Sequence, residues 1–96
     1  MTLRETINQK RQDILNTAAM YGAYNVRLFG SAARGEDDAS SDIDFLVDIE
    51  SGRTLLDHAA LVVALEDLLG RKVDVATERN LKDRIKPRVI QEAILL

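Results

Sequence analysis

The chain has 96 residues, 46% of them hydrophobic, and a formal net charge of −3. That is enough apolar material for one folded core and too little length for two, so residues 1–96 are expected to form a single domain, small enough that a partner often adds burial. The acidic balance argues against a broad nucleic-acid surface, which carries a basic excess, and the absence of cysteine excludes disulfides and thiolate metal sites. Any metal must therefore be held by oxygen or by His58, the one histidine. No apolar run approaches the roughly 20 residues that a membrane span needs. The amino terminus, Met1-Thr2-Leu3-Arg4-Glu5, lacks the apolar centre of a signal peptide, so the expected location is the cytoplasm.

The first predicted element is a helix over residues 2–22. Thr2 and Glu5 fit a capping box. Leu3, Ile7, Ile14, Ala18 and Tyr21 recur at helical spacing, and Gly22 is a stop. Residues 25–29 alternate as a short strand with Val26 and Leu28 on one face. Residues 30–41 read as a loop with one helical turn starting at Ser31, and residues 42–49 as a second strand. After a turn at residues 51–53, Thr54 caps a helix, with Asp57 three residues on, that runs to about Leu69 and stops at Gly70. Residues 72–76 form a third strand. Residues 80–96 read as helical with an interruption at Pro87, which cannot donate into a helix ladder. The order α, β, β, α, β, α predicts an α/β fold: a small mixed β-sheet packed by helices.

The chemistry concentrates between residues 28 and 47. Leu28-Phe29-Gly30-Ser31-Ala32-Ala33-Arg34-Gly35 is followed, after a short acidic spacer, by Ser41-Asp42-Ile43-Asp44-Phe45-Leu46-Val47. Side chains alternate along a strand, so Asp42 and Asp44 share a face with Cα atoms about 6–7 Å apart. Ile43, Phe45 and Val47 take the other face and anchor the strand in the core. Two carboxylates at that spacing repel unless a cation sits between them, and Mg²⁺ prefers such oxygen ligands. Taken alone, the doublet reads first as the charged solvent face of an edge strand; joined to the upstream Gly30-Ser31, it reads instead as a metal site. Upstream, glycine at position 30 lets backbone approach an anion, and a helical turn beginning at Ser31 presents free N–H groups to phosphate. The Ser31 hydroxyl adds a donor. Arg34 lies one turn on, able to fork onto a β- or γ-phosphate or to pair with Glu36, Asp37 or Asp38. No Gly-Lys-Ser/Thr follows, so this is not a P-loop. On the third strand Asp74 sits between Val73 and Val75, facing away from the core; beside residues 42–48 it would join the doublet, and otherwise it is a surface aspartate. A phosphate cradle beside a divalent-metal site is equipment for phosphoryl or nucleotidyl transfer. Asp48 and His58 read as surface or packing residues. Arg79, Lys82, Arg84, Lys86 and Arg88 read as a solvated basic face, with an acidic protein or RNA contact as the sharper alternative.

The run Gly-Ser-Ala-Ala-Arg-Gly…Ser-Asp-Ile-Asp from Gly30 to Asp44 resembles the signature of the DNA polymerase β-like nucleotidyltransferase superfamily. It is most similar to the minimal nucleotidyltransferases, antitoxin partners of HEPN ribonuclease toxins. The resemblance spans nearly the whole chain and implies the nucleotidyltransferase core alone. It implies Asp42, Asp44 and Asp74 as catalytic metal ligands for Mg²⁺, as two ions, with Gly30, Ser31 and Arg34 holding the phosphates of ATP. It also implies transfer of AMP to a hydroxyl, a tyrosine, of a HEPN-type toxin, with direct nucleic-acid binding not expected. Two other readings stay open. One is an antitoxin that inhibits by occlusion without catalysis; the other is a transferase, or the catalytic subunit of one, acting on a small molecule.

Overall fold

The computed structural model describes residues 2–38 and 40–96. Met1 of the amino-terminal segment and Ala39 of the expected loop lie outside them. The elements are α1 (Leu3–Gln9), α2 (Arg11–Met20), β1 (Ala23–Phe29), α3 (Gly30–Arg34), β2 (Ile43–Ile49), α4 (Leu55–Leu69), β3 (Val73–Ala76), a 3₁₀ turn (Glu78–Asn80), α5 (Lys86–Glu92) and β4 (Ile94–Leu95). The strands form one mixed sheet in the order β3-β2-β1-β4. β1 runs antiparallel to β2 and to β4, and β2 runs parallel to β3. This is the α/β class that the element order predicts.

Local chemistry sets most of the boundaries. Thr2 and Glu5 close a reciprocal capping box at α1, and Thr54 and Asp57 do the same at α4. Gly70 ends α4 in the left-handed conformation, φ +67°. The single helix expected over residues 2–22 is instead two, broken at Lys10, whose φ and ψ of −98° and 10° leave the helical region. The apolar positions already skip a turn there, from Ile7 to Ile14. Lys10 turns away to donate from Nζ to the Leu68 carbonyl at 2.8 Å, capping the carboxyl end of α4.

β1 begins two residues earlier than expected. A register shift between Tyr24 and Arg27 marks a bulge, with Asn25 at φ +50°. Asparagine tolerates that conformation, and its side chain donates to Asp48 at 3.0 Å. The bulge changes the phase of the alternation, so Ala23, Val26 and Leu28 are all buried in the core.

The carboxyl-terminal helix expected over residues 80–96 is also corrected. Pro87 sits in the first turn of α5, where a missing N–H costs nothing, so it starts a helix rather than interrupting one. The chain then leaves the helix at Ala93 and adds β4 to the edge of β1, with Leu28 opposite Ile94. A fourth strand two residues long carries no readable periodicity.

Ile7, Ile14, Ala18, Leu61 and Leu65 from the helices pack on Ile43, Phe45, Val47, Val73 and Val75 from the sheet to make the core. The opposite face of β2 carries Asp44, Leu46 and Asp48. Leu46 is fully buried there, beside Arg27 in register and with the 3₁₀ turn packed on β2. Among the described residues no helix is long and apolar enough to cross a membrane.

Candidate active site

The sheet register brings the predicted acids together. Asp44 of β2 pairs with Asp74 of β3 on one side and with Phe29, the last residue of β1, on the other. Directly opposed residues share a face, so Phe29, Asp44 and Asp74 form one rung across the open face. Asp42 precedes β2 by one residue and is exposed. The strand is thus one residue shorter than expected at this end, and Asp42 is held by the incoming loop rather than by the sheet.

Asp44 feels the other two carboxylates. Asp44 is half-buried, and its pKa is raised first by that burial, then by the charges of Asp74 and Asp42, with Arg34 pulling weakly the other way. The cluster has a charge deficit that a cation would relieve. Among the described residues no three carboxylate or imidazole groups close around one point as a ready-made cage. The donors are hard oxygens, open to one side, beside a turn of backbone N–H groups. Such a set fits an ion that retains water and shares phosphate oxygens, as Mg²⁺ does, better than one that needs a full protein shell.

Gly30 starts α3 directly from the end of β1, with φ +71°. A Cβ there would overlap the Asp44 carboxylate oxygen and lie 3.2 Å from its Cγ. The glycine is therefore needed for two reasons visible in the fold: its left-handed backbone and the seating of Asp44 against it. The sequence argument supplies only the third reason, approach of phosphate. The helical turn expected at Ser31 is present as α3, held at its base by buried Ala32 and closed by Gly35 at φ +73°. Among the described residues no hydrogen bond engages the Ser31 hydroxyl. Arg34 leaves the end of α3 and forks between Glu36 at 2.9 Å and Glu92 of α5 at 3.1 Å. Glu36 is one of its expected acidic partners; its second partner, Glu92, is distant in sequence and carried no signal. Burial and these partners leave Arg34 a third exposed, near enough to Asp44 to influence its charge.

Two arginines were not visible as site residues in the sequence. Arg27 donates to Asp48 at 3.2 Å and to Glu78 at 3.3 Å on the acid face, two rungs from the candidate site. Asp48, read as a surface residue, is accordingly a structural ion-pair partner. Arg71, in the turn from α4 to β3, reaches the loop ahead of Asp42. His58 lies half-buried on α4, away from the acids.

Comparison with known proteins agrees with this fold. Residues 7–96 match the family profile described as nucleotidyltransferase domain. A relative in Thermococcus cleftensis, protein adenylyltransferase MntA, is 39% identical over 74 residues, covering 77% of this chain and 75% of that protein. A solved structure provisionally titled a minimal nucleotidyltransferase superposes with a TM-score of 0.89 at 52% identity, covering 100% of this chain and 97% of that one. A toxin–antitoxin crystal structure with AMP-PNP shares the fold at 21% identity and a TM-score of 0.74, over 88% of this chain and 69% of that one.

Proposed function

Because this chain belongs to the nucleotidyltransferase domain family, we propose that it moves AMP from ATP to a hydroxyl of a partner protein and acts as an antitoxin in doing so. The partner is a HEPN-type ribonuclease toxin and the acceptor a tyrosine. The observation that carries the reading is the rung of Asp44 and Asp74 set directly beside the Gly30 backbone, with Asp42 adjacent. The relative named protein adenylyltransferase supports protein as the acceptor class, and the same-fold toxin–antitoxin assembly supports the kind of partner.

In the reaction the acceptor oxygen attacks the α-phosphorus in line. The new O–P bond forms as the bond to the bridging oxygen breaks, pyrophosphate leaves, and the hydroxyl proton passes to solvent through a carboxylate. Gly30, Ser31 and the first N–H groups of α3 hold the phosphates, and Arg34 balances charge at the rim. Asp42, Asp44 and Asp74 would hold Mg²⁺, as two ions, which when bound neutralises the triphosphate and lowers the pKa of the attacking oxygen. The protein's part is positioning and charge rather than covalent chemistry.

Exposed leucines favour a protein partner. Leu55 and Leu56, in the first turn of α4, are 86% and 82% exposed, and Val63 on the same helix is 55% exposed. A blocked ribonuclease follows from chemistry: an adenylate on a tyrosine near an RNA-cleaving centre obstructs the site and repels the RNA backbone. Co-expression with the toxin tests the reading. Wild type restores growth, and the Asp42→Asn/Asp44→Asn variant, though it still binds, does not. Full rescue by that variant would instead establish inhibition by occlusion.

A further inference from the structure

Asp42 is the one acid of the cluster that lies outside a strand, since β2 begins at Ile43 and Asp74 lies within β3. Something other than the sheet must fix it. Ahead of it the Asp38 Oδ1 accepts from the Ser40 N–H at 2.8 Å, the Ser40 hydroxyl at 2.7 Å and the Ser41 hydroxyl at 3.2 Å. The Ser41 N–H in turn donates to the Asp38 carbonyl at 3.1 Å. These bonds tie Asp38, Ser40 and Ser41 to one another without attaching them to the rest of the fold.

Arg71 makes that attachment. Its Nη2 donates to the Asp38 carbonyl and to the Ser41 carbonyl, each at 2.6 Å, and its Nη1 lies 4.0 Å from the Asp37 carboxylate. The arginine starts from a fixed base. Gly70 ends α4 before it, and beyond it the Val73 N–H donates to Glu66 of α4 at 3.1 Å. The Ser41 carbonyl belongs to the peptide plane that leads into Asp42, so holding that oxygen holds the Asp42 Cα. The same turn leads into β3, and just ahead of that strand the Lys72 carbonyl accepts from the Ile43 N–H at 2.9 Å. One short segment, residues 70–74, therefore sets Asp42 through Arg71 and supplies Asp74 itself.

We propose that Arg71 is a positioning residue of the transfer site, its planar guanidinium clamping the Asp38 and Ser41 carbonyls so that Asp42 stays in reach of Asp44 and Asp74. This role rests on the transferase reading above. A lysine cannot replace it: an ammonium is a compact charge on a flexible stem, without the rigid fork that spans two carbonyls and a carboxylate.

The test uses the whole chain with Arg71→Lys and Arg71→Ala. Far-UV circular dichroism and thermal melting check the fold, and Arg71→Lys alone carries the test should Arg71→Ala fail to fold. Amide exchange at Ser41, measured without nucleotide, is expected to speed up about tenfold or more in both variants as the clamp opens. Mg²⁺ titration of ATP binding by calorimetry is expected to show an affinity loss of about 10- to 100-fold, as for other residues that orient metal ligands. Wild-type exchange and wild-type Mg²⁺ dependence in Arg71→Lys would overturn the proposal, because charge alone would then suffice. Faster exchange with unchanged Mg²⁺ dependence would also overturn it, leaving Arg71 a structural clamp only. A wild-type chain that binds no Mg²⁺·ATP would remove the transferase reading and this role with it; exchange at Ser41, which needs no nucleotide, would still report whether the clamp exists.

Discussion

Asp44→Asn should abolish transfer and stabilise the protein when no metal is bound. The substitution keeps the shape that Gly30 accommodates and removes a charge that burial, Asp74 and Asp42 all disfavour. Parallel strands lie about 4.8 Å apart, and like charges on one rung, taken at about 6 Å, repel by roughly 0.7–3 kcal/mol for effective dielectrics between 80 and 20. Asp42 and Asp74 are exposed and Arg34 offsets part of the repulsion, which places the gain at the low end, about 1 kcal/mol. For a chain of this size that corresponds to a Tm increase of roughly 4–8 °C. The sign with pH follows from the raised pKa of Asp44. The folded wild type binds that proton more readily than the unfolded chain, so its stability falls as pH rises through the raised value. The advantage of Asn should vanish below the ordinary aspartate value of 3.8, where both proteins carry a neutral side chain, and reach its plateau at neutral pH. Thermal melts of both proteins in EDTA from about pH 3 to pH 8 measure the difference, with titrating groups remote from the acid cluster cancelling between them. A variant less stable than wild type at neutral pH, or a difference that ignores pH, would refute the electrostatic account of the acid cluster.

Gly30→Ala should weaken ATP binding and cost more stability than Gly35→Ala. Both glycines have φ near +70°, but a Cβ at Gly30 meets Asp44 and one at Gly35 meets nothing within 4 Å. The left-handed backbone alone costs about 1–2 kcal/mol, so any excess in Gly30→Ala, read from urea unfolding, reports the displaced carboxylate. Arg34→Ala should leave the fold intact while raising the ATP concentration needed for half-maximal transfer, a change visible as KM rather than kcat. Phe45→Ala, which empties a fully buried ring from under the acid strand, should cost about 3–5 kcal/mol in chemical denaturation. Leu56→Asp, at a position 82% exposed, should leave stability within about 0.5 kcal/mol yet weaken the complex with the partner, as size-exclusion chromatography of the mixture would show.

The legible parts of the fold are those specified by neighbours in sequence. Thr2 with Glu5, and Thr54 with Asp57, announce two helix starts, Gly70 announces a stop, and the alternation of Ile43, Phe45 and Val47 gives the face that β2 buries. The short turn at Ser31 was readable because a strand ending in glycine must redirect the chain. The parts that were not legible depend on partners far along the chain. Lys10 breaks the first helix where it can reach Leu68, Asn25 shifts the strand phase where Asp48 can hold it, and residues 94–95 become a strand only because β1 offers them an open edge. The same division runs through the candidate site. The face that Asp44 takes follows from strand geometry, whereas the seat of Asp42 just outside β2 and the roles of Arg71, Glu92 and Arg27 exist only once α4, α5 and the sheet are assembled. Asp74 lies between these cases: its orientation was readable from its two valines, and its place beside Asp44 required the parallel register.

We propose that this chain catalyses transfer of AMP to a partner protein through Asp42, Asp44 and Asp74. The most direct measurement is intact-mass spectrometry of the partner toxin after incubation with the chain, ATP and Mg²⁺. A mass increase of one or more adenylates, located on a tyrosine by peptide mapping and absent with Asp42→Asn, Asp44→Asn or EDTA, is the predicted result. A partner that is neutralised while its mass stays unchanged would contradict the claim.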